Sequence, residues 1–465
     1  MAEVAHAYST FSLPISTKGI EARELFENLE QHGYQFYNDR TATLVDYGDQ
    51  LKDDIEQLKQ YFMPYIEGQL FSKQYDDGFK RFFKPITTQG QLLNDDQSSP
   101  FLITSIEWFI CPFQIAFFII HVKHSEDATF KQTKALMKAI RDFHGEHVFQ
   151  FDDRSYHSLV TYFNDVLLHH LPAFQIKKTE TSFTRSFENF QDRLLLASHF
   201  ITTNDDVDDR TLFLLNEGEG SSIKNMTMAN YISNDYIERY LEAHEFKRYA
   251  PYVRYIQNDD IGTMVTTFQE GDQTWQQMKR YFNGPLFYQI FYHYFLKMTL
   301  LRFSNDYAHL EWQKDKGYVR ELVKNMTIFE AHYYFYETST QSEEIDISTL
   351  LRKSLDLQRV YEEAMSALNH LFTIQEQIAD MKQNDLLFFL TMSTVLSGAF
   401  GMNLIIEDWK DGLSLSMFSE YSFLEWFVFV ITMLSIVAVV FFTLQQFLIV
   451  LRMKHQQRKR RNAIK

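Results

Sequence analysis

One stretch near the C-terminal end of the chain limits what this protein can fold into. Residues 384–403 read NDLLFFLTMSTVLSGAFGMN, and from Leu386 to Met402 they contain no charge and no proline. An apolar run of this kind predicts a helix. Its 17 residues would cover about 25 Å at ~1.5 Å per residue, slightly less than the ~30 Å of a hydrocarbon core. We therefore expect a first transmembrane helix at 386–402, and we expect the residues just before it to extend the helix to the full thickness of the membrane.

A second apolar run, residues 425–451, predicts a second transmembrane helix, and residues 452–465 form a basic cytosolic tail. Basic residues stay on the cytoplasmic side of a membrane. The loop 403–424 is thus expected outside, with both termini in the cytosol. The N-terminal residues show neither the basic nor the apolar region of a signal peptide. These features predict a multi-pass protein of the plasma membrane, in contact with membrane lipid.

One face of the first apolar run is polar. Its residues follow one another at alternating spacings of three and four, which places them on one side of a helix. They are Gln377, Asp380, Asn384, Leu387, Thr391, Thr394 and Gly398, and we call this face the seam. Such a face lines water in a bundle of helices. Polar packing between helices through threonine and glycine is an equally good explanation of the pattern alone.

The segment before the seam predicts a long helical stalk. Residues 343–383 contain neither proline nor glycine, and an apolar residue recurs every seven positions from Leu350 to Ile378. Since nothing interrupts the pattern before the apolar run, we expect a single helix from 343 to 402, with residues 343–385 as the stalk.

The end of this helix resembles a known family. Gly401, Met402 and Asn403 follow Phe400 at the outer end of the next-to-last span, and the final span precedes a basic tail. This arrangement resembles the CorA family of divalent-cation channels. The resemblance implies a homopentamer that takes up Mg²⁺, with Co²⁺ and Ni²⁺ as further substrates, driven by the membrane potential and gated by cytosolic Mg²⁺. It assigns the selectivity filter to Gly401, Met402 and Asn403. Departures from the family pattern are Met392 in place of a mid-span proline, and an outer loop without Met-Pro-Glu.

The filter has a chemical rationale. Mg²⁺ gives up its water reluctantly, so a ring of Asn403 amides can accept hydrogen bonds from the hydration shell without binding the ion too tightly. Gly401 is expected to form the turn that ends the helix and presents Asn403. In the outer loop, carboxylates would raise the local cation concentration. These are Glu407, Asp408 and Asp411.

Residues 1–342 predict a cytosolic α/β domain of layered helices and sheet. Residues 105–122 are apolar and β-branched around Cys111 and Pro112, which indicates two buried strands and a turn. We expect helices at 130–144 and over most of 19–68, and a short strand at 211–215. Residues 285–296 are apolar but too short to span a membrane, and so favour a buried helix.

Charge and composition narrow the function further. The net charge of −16 argues against nucleic acid and is compatible with cations as partners. Cys111 is the single cysteine, so no intramolecular disulfide can form. No catalytic or nucleotide-binding motif stands out, so an enzyme is not expected and no cofactor is needed beyond Mg²⁺. A cluster of acids is a weak candidate for holding regulatory Mg²⁺, and a solvated loop is the favoured explanation of it. Its members are Asp205, Asp206, Asp208 and Asp209.

Two alternatives remain open at this point. One is a transporter of the same fold that carries Zn²⁺, Co²⁺ or Ni²⁺; the intact Gly401-Met402-Asn403 motif favours magnesium over it. The other is a membrane-anchored scaffold or sensor that conducts nothing. The oligomer number comes from the family resemblance alone.

Overall fold

The structure is a computed structural model of the 465-residue chain. It describes residues 4–17, 19–37, 43–46, 49–52, 58–73, 77–93, 98–126, 128–142, 147–152, 154–157, 159–169, 171, 195–217, 222–223, 226–227, 232–267, 274–308, 316–407 and the single positions 423, 426, 427, 430, 434 and 437. The chain divides into two compact units, residues 1–369 and 370–465.

The first unit is built on a large mixed β-sheet. The strands of the described residues are β1 Val4–Ser16, β2 Gln35–Phe36, β3 Thr43–Asp46, β4 Asp49–Lys52, β5 Lys80–Leu93, β6 Ser98–Cys111, β7 Ile115–His124, β8 Val148–Phe151, β9 Arg154–Tyr156, β10 Leu196–Thr203, β11 Ser222–Ile223, β12 Met226–Thr227, β13 Glu245–Phe246, β14 Val253–Gln257 and β15 Ile261–Thr267. The main sheet has the order β13-β14-β15-β10-β1-β7-β6-β5-β8-β9, with β2 beside β5. Strands β10 and β15 pair in parallel, while the other pairs are antiparallel.

The helices of the described residues are α1 Ala22–Gln31, α2 Pro64–Leu70, α3 Phe130–Arg141, α4 Leu159–Tyr162, α5 Asp209–Glu217, α6 Asn234–His244, α7 Thr274–Asn283, α8 Pro285–Ala308, α9 Lys316–His332, α10 Ser342–Ser354 and α11 Leu357–Glu407. A π-helical turn, Phe163–Leu167, follows α4. Helix α3 begins with a capping box between Thr129 and Gln132, which explains where it starts.

Strands β6 and β7 confirm the prediction of two buried strands around Cys111. They are buried on both faces, which is why their sequences are almost continuously apolar. Trp108 contacts Phe118 on one face, with ring centroids 5.2 Å apart. On the other face, Phe109 contacts Phe291 of α8 at 5.6 Å. The turn between the strands places Phe113 and Gln114 at positive φ.

Helix α8 is the buried aromatic helix that residues 285–296 predict. Its side chains are covered over most of its length. Phe295 packs edge to face against Phe79 with centroids 4.8 Å apart, and Tyr294 lies 5.4 Å from Phe117 of β7. Because the helix is apolar all round, it is stable only inside a core such as this one.

Two local predictions are wrong. Residues 211–215 form part of helix α5 instead of a strand, because Leu212, Phe213 and Leu215 join a core cluster that also contains residues of α6. An N-cap supports this helix, since the Thr211 amide donates to the Asp208 carboxylate at 3.0 Å. Within residues 19–68, α1 and α2 are helical, but β2, β3 and β4 are strands.

The helix expected from 343 to 402 is interrupted. Helix α10 ends at Ser354 and α11 begins at Leu357, with Leu355 and Asp356 between them. Asp356 has a φ of 52°, a left-handed conformation that aspartate tolerates better than most residues. The heptad pattern runs through this joint, since Leu350 lies in α10 and Leu357 begins α11. The pattern alone therefore does not reveal the break.

The predicted membrane module is wrong. Among the residues that the structure describes, none of the helices combines the length and the apolar character that crossing a bilayer demands. The apolar part of α11 is short, and charged Lys382, Asp385 and Glu407 lie near its ends. The fold prediction of two spans therefore fails, as do the transmembrane channel description and the multi-pass plasma-membrane location. What the structure supports is an α/β fold with a large mixed sheet.

The second predicted span, residues 425–451, lies mostly outside the described residues. Within it only positions 426, 427, 430, 434 and 437 are described, and all are helical. The basic tail 452–465 and most of the loop 403–424 also lie outside the described part of the chain.

Gly90 of β5 tests the packing of the sheet. A Cβ at this position would lie 2.6 Å from the Phe101 ring and 2.7 Å from the Phe151 ring. We expect Gly90→Ala to lower the free energy of unfolding by about 1–3 kcal/mol, the usual cost of overpacking. Gly68→Ala in α2 is the control, because its Cβ would meet nothing within 4 Å, and alanine there should stabilise the helix by up to about 1 kcal/mol. Urea unfolding of both variants measures the difference, and equal stability would contradict the packing of Gly90.

Candidate functional site

The seam lies on one helix, α11, and its side chains are accessible in the chain. All seven seam residues, from Gln377 to Gly398, are exposed. Leu387, the one large apolar member, is 53% exposed. At Gly398 an added Cβ would meet nothing within 4 Å. The structure therefore places the predicted pore-lining residues together on one uncovered helix face.

The two seam threonines make hydrogen bonds that determine what their hydroxyls can bind. Thr391 donates its Oγ1 hydrogen to the Leu387 carbonyl at 2.8 Å, and Thr394 donates to the Leu390 carbonyl at 2.7 Å. Because the hydroxyl hydrogen is used within the helix, only the oxygen lone pairs remain for another partner. Both hydroxyls are thus hydrogen-bond acceptors toward anything that approaches the seam.

The Gly401-Met402-Asn403 motif differs from its predicted conformation. The backbone stays helical through these three residues and on to Glu407. The expected turn at Gly401 is therefore absent, and the motif forms part of the last two turns of α11. Of the outer-loop acids, Glu407 is the last helical residue, whereas Asp408 and Asp411 lie outside the described residues.

The acid cluster at 205–209 does not converge on a point. Asp206 accepts a hydrogen bond from Thr267 Oγ1 at 3.1 Å, Asp208 caps α5, and Asp209 accepts from Arg254 at 2.7 Å. Asp205 contributes its backbone carbonyl to Thr203. Across the described part of the chain, no three His, Cys, Asp or Glu side chains form a group that could hold a metal ion. These contacts favour the loop explanation of the cluster.

A buried ionic network that no sequence pattern reveals lies on the α8 side of the sheet. Arg81 Nε lies 2.8 Å from Glu107 Oε2, and His121 Nε2 lies 3.0 Å from Glu107 Oε1. Thr10 Oγ1 extends the network to β1, 3.2 Å from His121 Nδ1. The Arg81 guanidinium also lies 4.1 Å from the centre of the Phe287 ring. This network connects four neighbouring strands, β5, β6, β7 and β1.

Burial and charge act in opposite directions on this network. Burial alone raises the pKa of Glu107, but Arg81 and His121 outweigh it and lower that pKa to about 2. Burial alone likewise lowers the pKa of Arg81, and Glu107 raises it above its usual range. Both groups therefore stay charged at neutral pH. Arg81 and Glu107 are buried beside aromatic rings. Their ion pair is therefore suited to stabilising the sheet and is not accessible to a substrate.

A second buried polar group lies on the other face. Ser9 Oγ is 2.8 Å from His124 Nε2 and 2.8 Å from His199 Nδ1. Burial lowers the pKa of both imidazoles to about 3, so both are neutral. A serine beside a histidine can be a nucleophile, but all three residues are at least 98% covered and none of the contacts above involves a carboxylate. Their distance along the chain explains why no sequence spacing reveals them.

The first unit also contains open cavities. One of about 660 Å³ is lined by polar side chains of β5, β7 and β8, including Gln91, Lys123 and Gln150. Another of about 900 Å³ lies between α1, the turn after β6 and α9. Its lining combines apolar residues such as Phe26 with the charged Asp77 and Lys80. Neither cavity gathers the acids or histidines of a metal site.

Comparison with known proteins adds no relative. No family model matches the chain, and no curated protein or solved structure is significantly similar to it. The resemblance to the CorA family therefore depends on the Gly401-Met402-Asn403 motif and its position, and stays a prediction.

The buried ion pair yields a test. Arg81→Met leaves the Glu107 carboxylate buried without its guanidinium, so the free energy of unfolding should fall by about 3–5 kcal/mol. Urea unfolding followed by circular dichroism measures the loss.

The double variant Arg81→Met with Glu107→Leu is the control, because it removes both charges and should be more stable than the single variant. A double variant less stable than Arg81→Met would contradict the ionic explanation. Since the pKa of Glu107 is lowered to about 2, its contribution is complete above about pH 4.5 and is lost as the pH falls toward 2.

Proposed function

We propose that the chain is a divalent-cation transport protein of the kind that its resemblance to CorA implies. Several copies bring their α11 seams together around a path for hydrated Mg²⁺, and Asn403 lies at one end of that path. The single observation that carries the proposal is the exposed polar seam on one helix that continues into Gly401-Met402-Asn403. The proposal rests on α11 itself and not on the membrane module or the location that the structure contradicts.

The chemistry of the seam suits a hydrated cation. The water shell of Mg²⁺ points its hydrogens outward, so a path for the hydrated ion needs acceptors. Thr391 and Thr394 have only acceptor capacity left, and their donor hydrogens are bonded within the helix. Asp380 adds a carboxylate on the same face. An approaching anion or an apolar molecule would find no matching partner at these positions.

The identity of the seam side chains supports magnesium over zinc. Zinc prefers cysteine thiolate and histidine nitrogen, whereas magnesium takes oxygen ligands. The seam contains amides, hydroxyls and a carboxylate, and neither cysteine nor histidine. The alternative of a Zn²⁺ transporter therefore has less support from these residues.

More than one copy of the chain is needed, since one helix face cannot enclose an ion. Beside the seam, α11 exposes large apolar side chains: Phe388 is 61% exposed, Phe389 72% and Val395 62%. An apolar surface of this extent is typical of an interaction site. We infer that other copies of α11 cover it, and that this contact directs the seams toward a common axis. The family resemblance implies five copies.

Mg²⁺ binding by the assembled seams tests the proposal. Binding of Mg²⁺ to the full chain is measured by isothermal titration calorimetry, and the number of copies is measured by sedimentation. Each seam acceptor is expected to contribute about 1 kcal/mol, or about fivefold in affinity. Since the variants remove one acceptor from every copy, Asn403→Ala and Thr394→Val should each weaken Mg²⁺ binding by at least about fivefold. Met392→Leu is the matched control, because Met392 lies about 160° around the helix from Thr394.

Three results would contradict the proposal. They are a monomeric protein, the absence of Mg²⁺ binding, and binding that Thr394→Val and Met392→Leu weaken equally. Oligomers that do not bind Mg²⁺ would instead favour a scaffold, and binding of Zn²⁺ but not Mg²⁺ would favour the zinc alternative.

A further inference from the structure

Glu344, in the first turn of α10, has an unusual environment for a carboxyl group. It is fully covered, with 0% of its surface exposed. Oε1 accepts a hydrogen bond from the Tyr281 hydroxyl of α7 at 2.8 Å. Oε2 is buried and has no hydrogen-bond partner. A carboxylate in this position would be stabilised by neutral groups alone, the Tyr281 hydroxyl and the nearby Gln289 amide.

Among the described residues, the groups that face Glu344 from the surrounding elements supply no compensating cation. They are the phenols of Tyr61, Tyr249 and Tyr281, the Gln289 amide of α8, and Glu343 of its own helix. Two arginines of the neighbourhood are bonded elsewhere. Arg248 contacts Asp346 at 3.2 Å and Ser342 at 2.7 Å, and Arg352 donates to the Phe335 carbonyl.

Gln289 gives the carboxyl group a second possible partner. Its amide nitrogen is buried without a hydrogen-bond partner, as Glu344 Oε2 is. Its amide oxygen accepts from Thr338 Oγ1 through a long bond of 3.3 Å. Because an unpaired donor and an unpaired acceptor lie on neighbouring groups, a small shift of the helix turn would join them. A negative charge on Glu344 would favour that shift.

The same turn of α10 is held from outside by a second set of contacts. Tyr249 donates to Glu343 at 2.7 Å, and Arg248 contacts Ser342 and Asp346. Both residues belong to the loop between β13 and β14. The first turn of α10 is thus attached by exposed polar contacts on one side and by the buried Glu344 on the other.

We propose that Glu344 is a proton-binding site that controls how tightly the first turn of α10 is attached to the rest of the first unit, through α7, α8 and the loop between β13 and β14. The protonated carboxyl keeps the turn in the arrangement described here. Loss of the proton places an unpaired charge in the interior, and the turn moves to bring Gln289 or water to Oε2. The attachment of α10 is therefore tight at acidic pH and loose at alkaline pH. This inference stands independently of cation transport.

The protonation equilibrium of the Glu344 carboxyl group supports a response near neutral pH. Burial raises the pKa of Glu344 to about 7; the charge of Glu343 acts in the same direction, whereas the Tyr281 hydroxyl and the Gln289 amide oppose it. When the turn is open to water, the pKa of glutamate is about 4.3. Because the attached state holds the proton more tightly, its stability is complete below about pH 4 and decreases as the pH rises through about 7.

Hydrogen exchange of the full chain measures the attachment directly. Backbone amides of residues 342–347 should lose roughly tenfold protection between pH 6 and pH 8, after correction for the intrinsic effect of pH on exchange. Glu344→Gln keeps the shape and the acceptor for Tyr281 but cannot ionise, so its protection should not change between these values. Glu343→Gln, one residue earlier and bonded to Tyr249, is the control and should retain the pH dependence.

Difference infrared spectroscopy provides a second readout that needs no change of stability. Wild-type protein should show a carboxylic acid C=O band at pH 6 that is lost by pH 8, and Glu344→Gln should lack this band. The proposal is overturned if the wild type shows no such band, or if protection at 342–347 is the same at both pH values. A pH response that Glu344→Gln retains would also overturn it.

Discussion

The burial of β6 and β7 on both faces is the constraint on which the rest of the first unit depends. Two strands that are apolar on each side need a cover above and below the sheet. Helix α8 supplies one cover with its aromatic side chains, and the cluster around Trp108 supplies the other. The charged groups of this core, Arg81 and Glu107, are paired with each other and with His121, because an unpaired charge there would cost about 3–5 kcal/mol.

Glu344 departs from that rule. It lies beside the same aromatic core, yet one of its oxygens has no partner and no cation bonds to the other. A buried ionisable group of this kind is typical of a site where protonation is used, since a purely structural position would accept glutamine or an apolar residue. Its place in the turn that begins α10 connects it with a helix that is only two residues from α11.

Much of the core could be predicted from the sequence, because burial on two faces leaves an apolar run that does not depend on distant residues. Strands β6 and β7 and helix α8 are therefore predictable from the sequence. The strand predicted at 211–215 is wrong because a short apolar run fits a strand or a helix equally, and contacts with α6 decide between them. The ionic network could not be found, since Arg81, Glu107 and His121 meet only through strand pairing. The seam is a local helical pattern and was recognisable, but its motif remains helical where a turn was expected. The membrane-module prediction is wrong because the apolar part of α11, although uncharged, is short and has Lys382, Asp385 and Glu407 near its ends.

The position of β1 has a consequence for how the protein is made. This first strand of the chain pairs with β7 on one side and with β10, almost two hundred residues later, on the other. During synthesis the N-terminal strand leaves the ribosome long before β10 exists, and it must wait with one edge unpaired. Completion of the sheet is therefore a late event that depends on contacts between distant parts of the sequence, and such contacts form slowly. Until then the exposed edge is a place where nascent chains can associate wrongly.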